Sequence, residues 1–283
     1  MLIANGWSDF KILDAGGGMK LEKWKDITLL RPDPQAIWPM VMQEADAVYI
    51  RSDKGGGHWD LRKPLPDSWH IMYGNLCFIV RPTGFKHTGL FPEQAINWDW
   101  MRDQLKVWKK KHQTTPRILN LFAYTGAATL ACASEGAQLV HVDAAKRMVG
   151  WAKDNARESG LDRASIRYIV DDCVKFVKRE RNRCNRYEGI VMDPPSYGRG
   201  PNGEMWRIET DLWSLVQDCS KLLSESPAFL LVNSYTTGFS AAVLKNVLHK
   251  TFSYGRVEAE ELGLPIQGGN LILPCGVCGR WTV

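Results

Sequence analysis

No apolar run in this 283-residue chain approaches the ~18 residues that cross a bilayer as a helix. The start, Met-Leu-Ile-Ala-Asn-Gly, lacks the charged region and apolar middle of a secretory signal. The expectation is a cytosolic protein without membrane contact. A disulfide framework is missing too: the seven cysteines are odd in number and scattered, as suits a reducing compartment. Cys275 and Cys278 have metal-ligand spacing, but no second pair matches them, so no metal is expected. Nor is either charge in strong excess. Lys and Arg number 36 against 31 Asp and Glu, a net charge of +5, which permits a polyanionic partner without demanding one.

What is present is ordinary globular material, 45% apolar and 24% charged, with a high count of 12 tryptophans. The length suffices for one large domain or two ordinary ones, and leaves monomer or homodimer open. The first 80 or so residues read as β-rich. Residues 11–24 and 48–57 each break short apolar runs with a glycine triplet, the signature of a hairpin whose turn needs glycine. Arg31 to Pro39 is proline-broken and reads as a connecting loop. This part fits either a small accessory β module or a substrate-binding one. A boundary is expected near residue 88, giving domains 1–88 and 89–283. Beyond it Trp98, Met101, Leu105 and Trp108 are spaced for one helical face, and Lys109 to His112 with Pro116 supply stop signals.

The later chain is organised around residues 118–126, Ile-Leu-Asn-Leu-Phe-Ala-Tyr-Thr-Gly. It reads as a buried strand entering a tight turn and then a small-residue helix, a geometry that brings backbone N–H groups and a helix N-terminus to a ligand. Strands are predicted at 117–123, 138–142, 165–170, 189–193 and 228–233. Helices at 126–135, 145–159, 173–182, 208–224 and 239–250 alternate with them, which implies a parallel sheet. Two strand-like runs at 254–261 and 270–277 have no helix between them, so the sheet should end in an antiparallel pair. Ligands of such sheets bind at the carboxyl ends of the strands. Asp143, Asp171-Asp172, Asp193-Pro-Pro-Ser-Tyr197 and Asn233-Ser-Tyr235 stand at those ends.

An acid some twenty positions past the glycine turn accepts ribose hydroxyls in dinucleotide folds. Asp143 lies 17 past Gly126. The turn has one glycine where a pyrophosphate would need more, and a second acid after the third strand suits an adenine amino group. Adenine and ribose without pyrophosphate point to S-adenosylmethionine.

From about Gly89 to Val283 the chain resembles class I S-adenosylmethionine-dependent methyltransferases. Within that class it resembles the bacterial ribosomal RNA large-subunit enzymes that modify cytosine C5 or guanine N7. The resemblance rests on Gly89-Leu-Phe-Pro-Glu-Gln94, Asn120-Leu-Phe-Ala-Tyr-Thr-Gly126, Asp143, Asp172-Cys-Val-Lys-Phe176 and Asp193-Pro-Pro-Ser196. It implies an α/β, Rossmann-like fold: a seven-stranded, mostly parallel sheet ending in an antiparallel pair, after a small β-rich module. It also implies that Gln94, Asn120, Phe122, Ala123, Tyr124, Thr125 and Gly126 surround the methionine part of the cofactor. Asp143 would hold the ribose and Asp172 the adenine. Asp193, counted with cofactor and target alike, would face the target base with Pro194. The first 80 residues match no RNA-binding domain of that family.

Methyl transfer from a sulfonium is an in-line displacement, so the protein mainly positions a nucleophile about 3 Å from the methyl. Cytosine C5 needs a cysteine thiolate added at C6 first, and the relatives that do this carry the cysteine just past the fifth strand. Here residues 231–239 hold none. A base nitrogen, with its own lone pair, is the better acceptor. Asp193 and the Pro194 carbonyl would accept from a base edge, Tyr197 would stack on its face, and Asn233 would orient it or close a turn. Residues 198–203 read as a mobile lid and 204–208 as a closing segment. The six basic residues between Lys175 and Arg186 read as a solvated helix face rather than an RNA track. The expectation is a methyltransferase acting on a base nitrogen of RNA, with ribosomal RNA foremost. The alternatives are a methyltransferase on a small molecule or protein, and a nucleotide-binding α/β protein without transferase activity.

Overall fold

The computed structural model describes residues 1–52, 56–84, 86–199 and 205–283. The chain divides into two compact units: Met1–Ile96 with Leu262–Cys275, and Asn97–Glu261 with Gly276–Val283.

The first unit contains β1 (Leu2–Ile3), β2 (Phe10–Gly16), β3 (Met19–Trp24), β4 (Ile27–Pro32), β5 (Ala47–Arg51), β6 (Gly57–Leu61), β7 (Trp69–Tyr73) and β8 (Leu76–Val80). Strands β2 to β6 form one sheet in sequence order, antiparallel except between β4 and β5. β7 and β8 form a hairpin of their own. The β2–β3 turn shows why glycine was needed: Gly17 and Gly18 have φ of 58° and 76°, angles costly for a side-chain-bearing residue. The second expected hairpin is β5–β6; residues 53–55 of its turn lie outside the described residues. Leu21, Trp24, Leu29, Ile71 and Phe78 are fully buried. Among them Glu22 accepts from Arg31 through Nε (2.6 Å) and Nη2 (2.7 Å), and from Trp24 Nε1 (3.0 Å), as a charge inside a small β core requires.

The later chain runs α1 (Ala95–His112), β9 (Arg117–Leu121), α2 (Ala127–Ser134), β10 (Gln138–Asp143), α3 (Lys146–Glu158), β11 (Ile166–Val170) and α4 (Cys173–Asn182). It continues through β12 (Gly189–Met192), β13 (Tyr197–Arg199), β14 (Met205–Arg207), α5 (Ile208–Ser220), β15 (Phe229–Ser234), α6 (Ala241–Thr251), β16 (Arg256–Pro265) and β17 (Ile272–Thr282). The sheet order is β11–β10–β9–β12–β15–β17–β16. The first five strands are parallel and β17 is antiparallel to β15, as expected. The two-residue β1 adds an eighth strand beside β16, through Leu2↔Leu262.

Every residue of β12 and β15 is buried. This explains why they read as unbroken apolar runs: a parallel strand covered on both faces has no solvent side to alternate with. Phe176 and Val177 of α4, Leu212 and Leu215 of α5, and Leu244 and Leu248 of α6 complete a core with Leu119, Ile190 and Leu230. The order reverses at β9, which leads outward to β10 and β11 before the chain returns to β12 on its other side. In open α/β sheets this switch point opens a crevice above the strand ends.

Candidate active site

After β9 the backbone adopts a left-handed conformation three times in five residues, at Phe122 (φ 54°), Tyr124 (49°) and Gly126 (86°). For the two that carry side chains this costs about 1–3 kcal/mol each and persists only where surroundings enforce it. The enforcing contacts are explicit. Phe122 N–H donates to Cys173 Sγ (3.2 Å) and Tyr124 N–H to Asp143 Oδ2 (2.8 Å). Ala123 N–H donates to the Val142 carbonyl (3.0 Å) and Gly126 N–H to that of Ala123 (2.9 Å). The Thr125 carbonyl accepts from Asn155 Nδ2 of α3 (2.9 Å). A Cβ on Gly126 would lie 2.9 Å from Ala152 Cβ, also on α3. The turn is thus wedged between strand and helix, and these four N–H groups are spent inward rather than offered outward. What faces outward is the first turn of α2, whose N-cap, Gly126, supplies no side-chain capping bond; such a helix start suits an anionic group.

Asn120 lies beneath the turn. It is buried, and its Nδ2 donates to Thr129 Oγ1 (2.9 Å), which lies 2.9 Å from His141 Nδ1. Burial pushes the His141 imidazole down to about 3, so the ring is neutral. Gln94 is buried in the turn Pro92–Gln94 of the first unit and belongs to that unit.

The two acids expected to hold the cofactor stand at the ends of the neighbouring strands β10 and β11 and differ in state. Asp143 is half-buried. Oδ2 takes the Tyr124 N–H and Oδ1 the Ala145 N–H (2.8 Å), and burial outweighs both bonds to hold its carboxyl above the usual carboxylate range. Each oxygen keeps a second lone pair. Asp172 is the N-cap of α4: Oδ1 accepts from Lys175 N–H (2.8 Å), while Oδ2 has no partner among the described residues. Its neighbour Asp171 is committed to Arg179 and to the Asp172 N–H. Arg181 pairs with Asp218 and Arg183 with Glu180, so half of the Lys175–Arg186 run is tied to local acids, as a solvated helix face would be.

On the other side of the switch point, Met192 of β12 is in register with Leu121 and with Val232, which sets Asp193 beside Asn233. Pro194 is buried; Pro195, Ser196 and Tyr197 are exposed. The loop is braced by Ser196 Oγ to Thr236 Oγ1 (2.7 Å) and by Trp206 Nε1 donating to the Pro195 carbonyl (2.6 Å). Residues 205–207 of the segment read as a closing element form β14, which pairs antiparallel with β13, with Trp206 5.5 Å from the Phe122 ring. Tyr197 is 48% exposed and donates to Met205 Sδ (3.6 Å). Residues 200–203 of the expected lid and residue 204 of the closing segment lie outside the described residues.

Two neighbours of Asn233 were not visible in the sequence. Asn233 is buried and its Oδ1 accepts from Asn97 Nδ2 (3.0 Å); Asn97 Oδ1 accepts from Arg280 through Nε (3.0 Å) and Nη2 (2.5 Å). The guanidinium lies over the Trp100 ring, 4.9 Å from its centroid. Separations of 136 and 183 residues leave no local signal for such a group. Across the β15–β17 ladder Cys278 faces Asn233. Its thiol is fully buried and burial holds it above its ordinary value. Cys173 is likewise raised by burial and serves as acceptor for the Phe122 N–H.

A half-buried carboxylate with a lone pair left on each oxygen suits vicinal ribose hydroxyls. Asp172 offers an oxygen for an amino group, and the uncapped helix start suits a carboxylate. The residues therefore fit S-adenosylmethionine. Fold order, switch point and acid placement define a class I methyltransferase. A family model described as S-adenosylmethionine-dependent methyltransferase matches residues 46–236, and the chain belongs to that family, with S-adenosylmethionine as its cofactor. An S-adenosylmethionine-dependent methyltransferase from Agrobacterium tumefaciens is 33% identical, with a TM-score of 0.93 over 99% of this chain and 92% of that one. A methyltransferase-class chain from Streptococcus mutans, 18% identical, shares the fold with a TM-score of 0.76, covering 99% and 76% of the two chains. Ribosomal RNA large subunit methyltransferase K/L of Shewanella frigidimarina is 31% identical over 56% of this chain and 21% of its own length. That of Marinobacter nauticus is 29% identical over 86% and 33%. The chain thus spans a third or less of the length of these curated relatives.

Proposed function

We propose that the protein transfers a methyl group from S-adenosylmethionine to a base nitrogen of RNA, with ribosomal RNA the foremost substrate, in the cytoplasm. The observation that carries this reading is the pairing of Asp193-Pro194 with Asn233 at adjacent strand ends, where the described cysteines nearby are buried and raised. A buried thiol held above its ordinary value stays protonated at neutral pH and is a poor nucleophile, which argues against the addition that cytosine C5 requires. A nitrogen lone pair needs no such help.

The cofactor supplies a methyl group activated on a sulfonium. Asp143 and Asp172 would hold it at ribose and adenine, and the turn at residues 122–126 would hold the methionine end. Asp193 and the Pro194 carbonyl accept hydrogen bonds from the base edge, lining its lone pair up with the methyl, while Tyr197 stacks on the exposed ring face. Residues 1–88 serve as the substrate-binding module. Support for RNA comes from the curated relatives, which are ribosomal RNA large subunit methyltransferases. Transfer of tritiated methyl from labelled cofactor into RNA, protein and metabolite pools tests the proposal: label in RNA is expected, and label only in the other pools would sink it.

A further inference from the structure

The bonding around Asn233 fixes more than its position. Arg280 can only donate, so Asn97 must turn Oδ1 toward it, as the 3.0 Å Nε contact records. That leaves Asn97 Nδ2 facing Asn233, which must answer with its own Oδ1. The NH2 of Asn233 is what remains. It has no partner among the described residues and stands at a strand end next to Asp193. An amide is ordinarily free to present either end. Here a buried guanidinium two residues away in the hydrogen-bond chain removes that choice.

We propose that Arg280 and Asn97 are positioning residues that hold Asn233 with its NH2 toward the methyl acceptor, so that the target must present a hydrogen-bond acceptor, a carbonyl oxygen or a ring-nitrogen lone pair, beside the group read by Asp193. This rests on the reading above only in placing the target at Asp193 and Asn233. The site then offers an acceptor, Asp193, beside a donor, Asn233, and selects an edge carrying the complementary pair. Nothing in it favours a target lacking the acceptor, because the Asn233 N–H groups would be stripped of water without replacement.

The Asn97→Asp variant reverses the polarity with little change of shape. Its carboxylate still accepts from Arg280, cannot donate to Asn233 as a carboxylate, and draws the Asn233 NH2 to itself, turning Oδ1 toward the target. Methyl transfer is measured on whichever pool, RNA, protein or metabolite, accepts tritium from the wild-type protein; label outside RNA would overturn the RNA reading while leaving this comparison intact. The expected result is a roughly ten- to hundredfold loss of kcat/KM, with S-adenosylhomocysteine affinity within about twofold of wild type and an unchanged melting temperature. Asn233→Leu should cost a similar factor, and adding Asn97→Asp to it should cost nothing more, since coupled residues fail to add. Undiminished transfer in Asn97→Asp, a further loss in the double variant, or a fall in cofactor affinity or melting temperature matching the loss of rate would each overturn the assignment.

Discussion

Asp143 and Asp172 occupy equivalent places, each at the end of one of two paired parallel strands, yet the fold uses them differently. Asp143 takes one backbone N–H on each oxygen and thereby ties the left-handed turn to β10. Asp172 spends one oxygen capping a helix and keeps the other. If Asp143 braces the turn and also binds the ribose, as proposed, it should be irreplaceable; if Asp172 caps a helix and also reads the adenine amino group, its two roles should be separable. Substitutions at the two positions should therefore differ in kind.

The largest effect belongs to Asp143→Ala, which removes the proposed ribose partner together with the anchor of the Tyr124 N–H. The thermal shift produced by S-adenosylhomocysteine should vanish, and an unchanged shift would contradict the ribose assignment. Next comes pH. Burial holds the Asp143 carboxyl above the usual range, so cofactor affinity, followed by calorimetry, should weaken on acidification before an exposed aspartate, with its pKa near 3.9, would begin to titrate. The same shift has the opposite sign for the unliganded fold. A raised native pKa means that the group's contribution to stability decreases as pH rises from the unfolded value through the native one.

Asp172 should give smaller and divisible effects. Asp172→Ala loses the cap and about 1 kcal/mol of stability, with a several-fold weaker cofactor affinity. Asp172→Asn keeps a capping oxygen, so its melting temperature should stay near wild type while the affinity loss remains. Equal melting temperatures for the two variants would show that the cap contributes nothing.

The same contrast explains what the sequence could show. Asp143 and Asp172 were legible because each follows an apolar run, and buried parallel strands such as Phe229–Ser234 are continuous in sequence. Their division of labour was not, since it depends on whether Oδ1 meets Lys175 N–H or Ala145 N–H. Left-handed Phe122 and Tyr124 were hidden for a related reason: neither is a residue type that announces positive φ, and tertiary contacts, those from Cys173 and Asp143 among them, impose it. The short β1 escaped notice because its two residues carry no period. The Asn97–Asn233–Arg280 group escaped because three distant segments meet there.

Methyl transfer to a base nitrogen leaves a product that can be identified atom by atom. RNA labelled with tritiated methyl by the purified protein is digested to nucleosides and the labelled product identified by chromatography and mass. A nucleoside methylated on a ring or amino nitrogen is the predicted product; 5-methylcytidine would contradict the account, because no described cysteine near the site is placed to form the adduct that carbon requires.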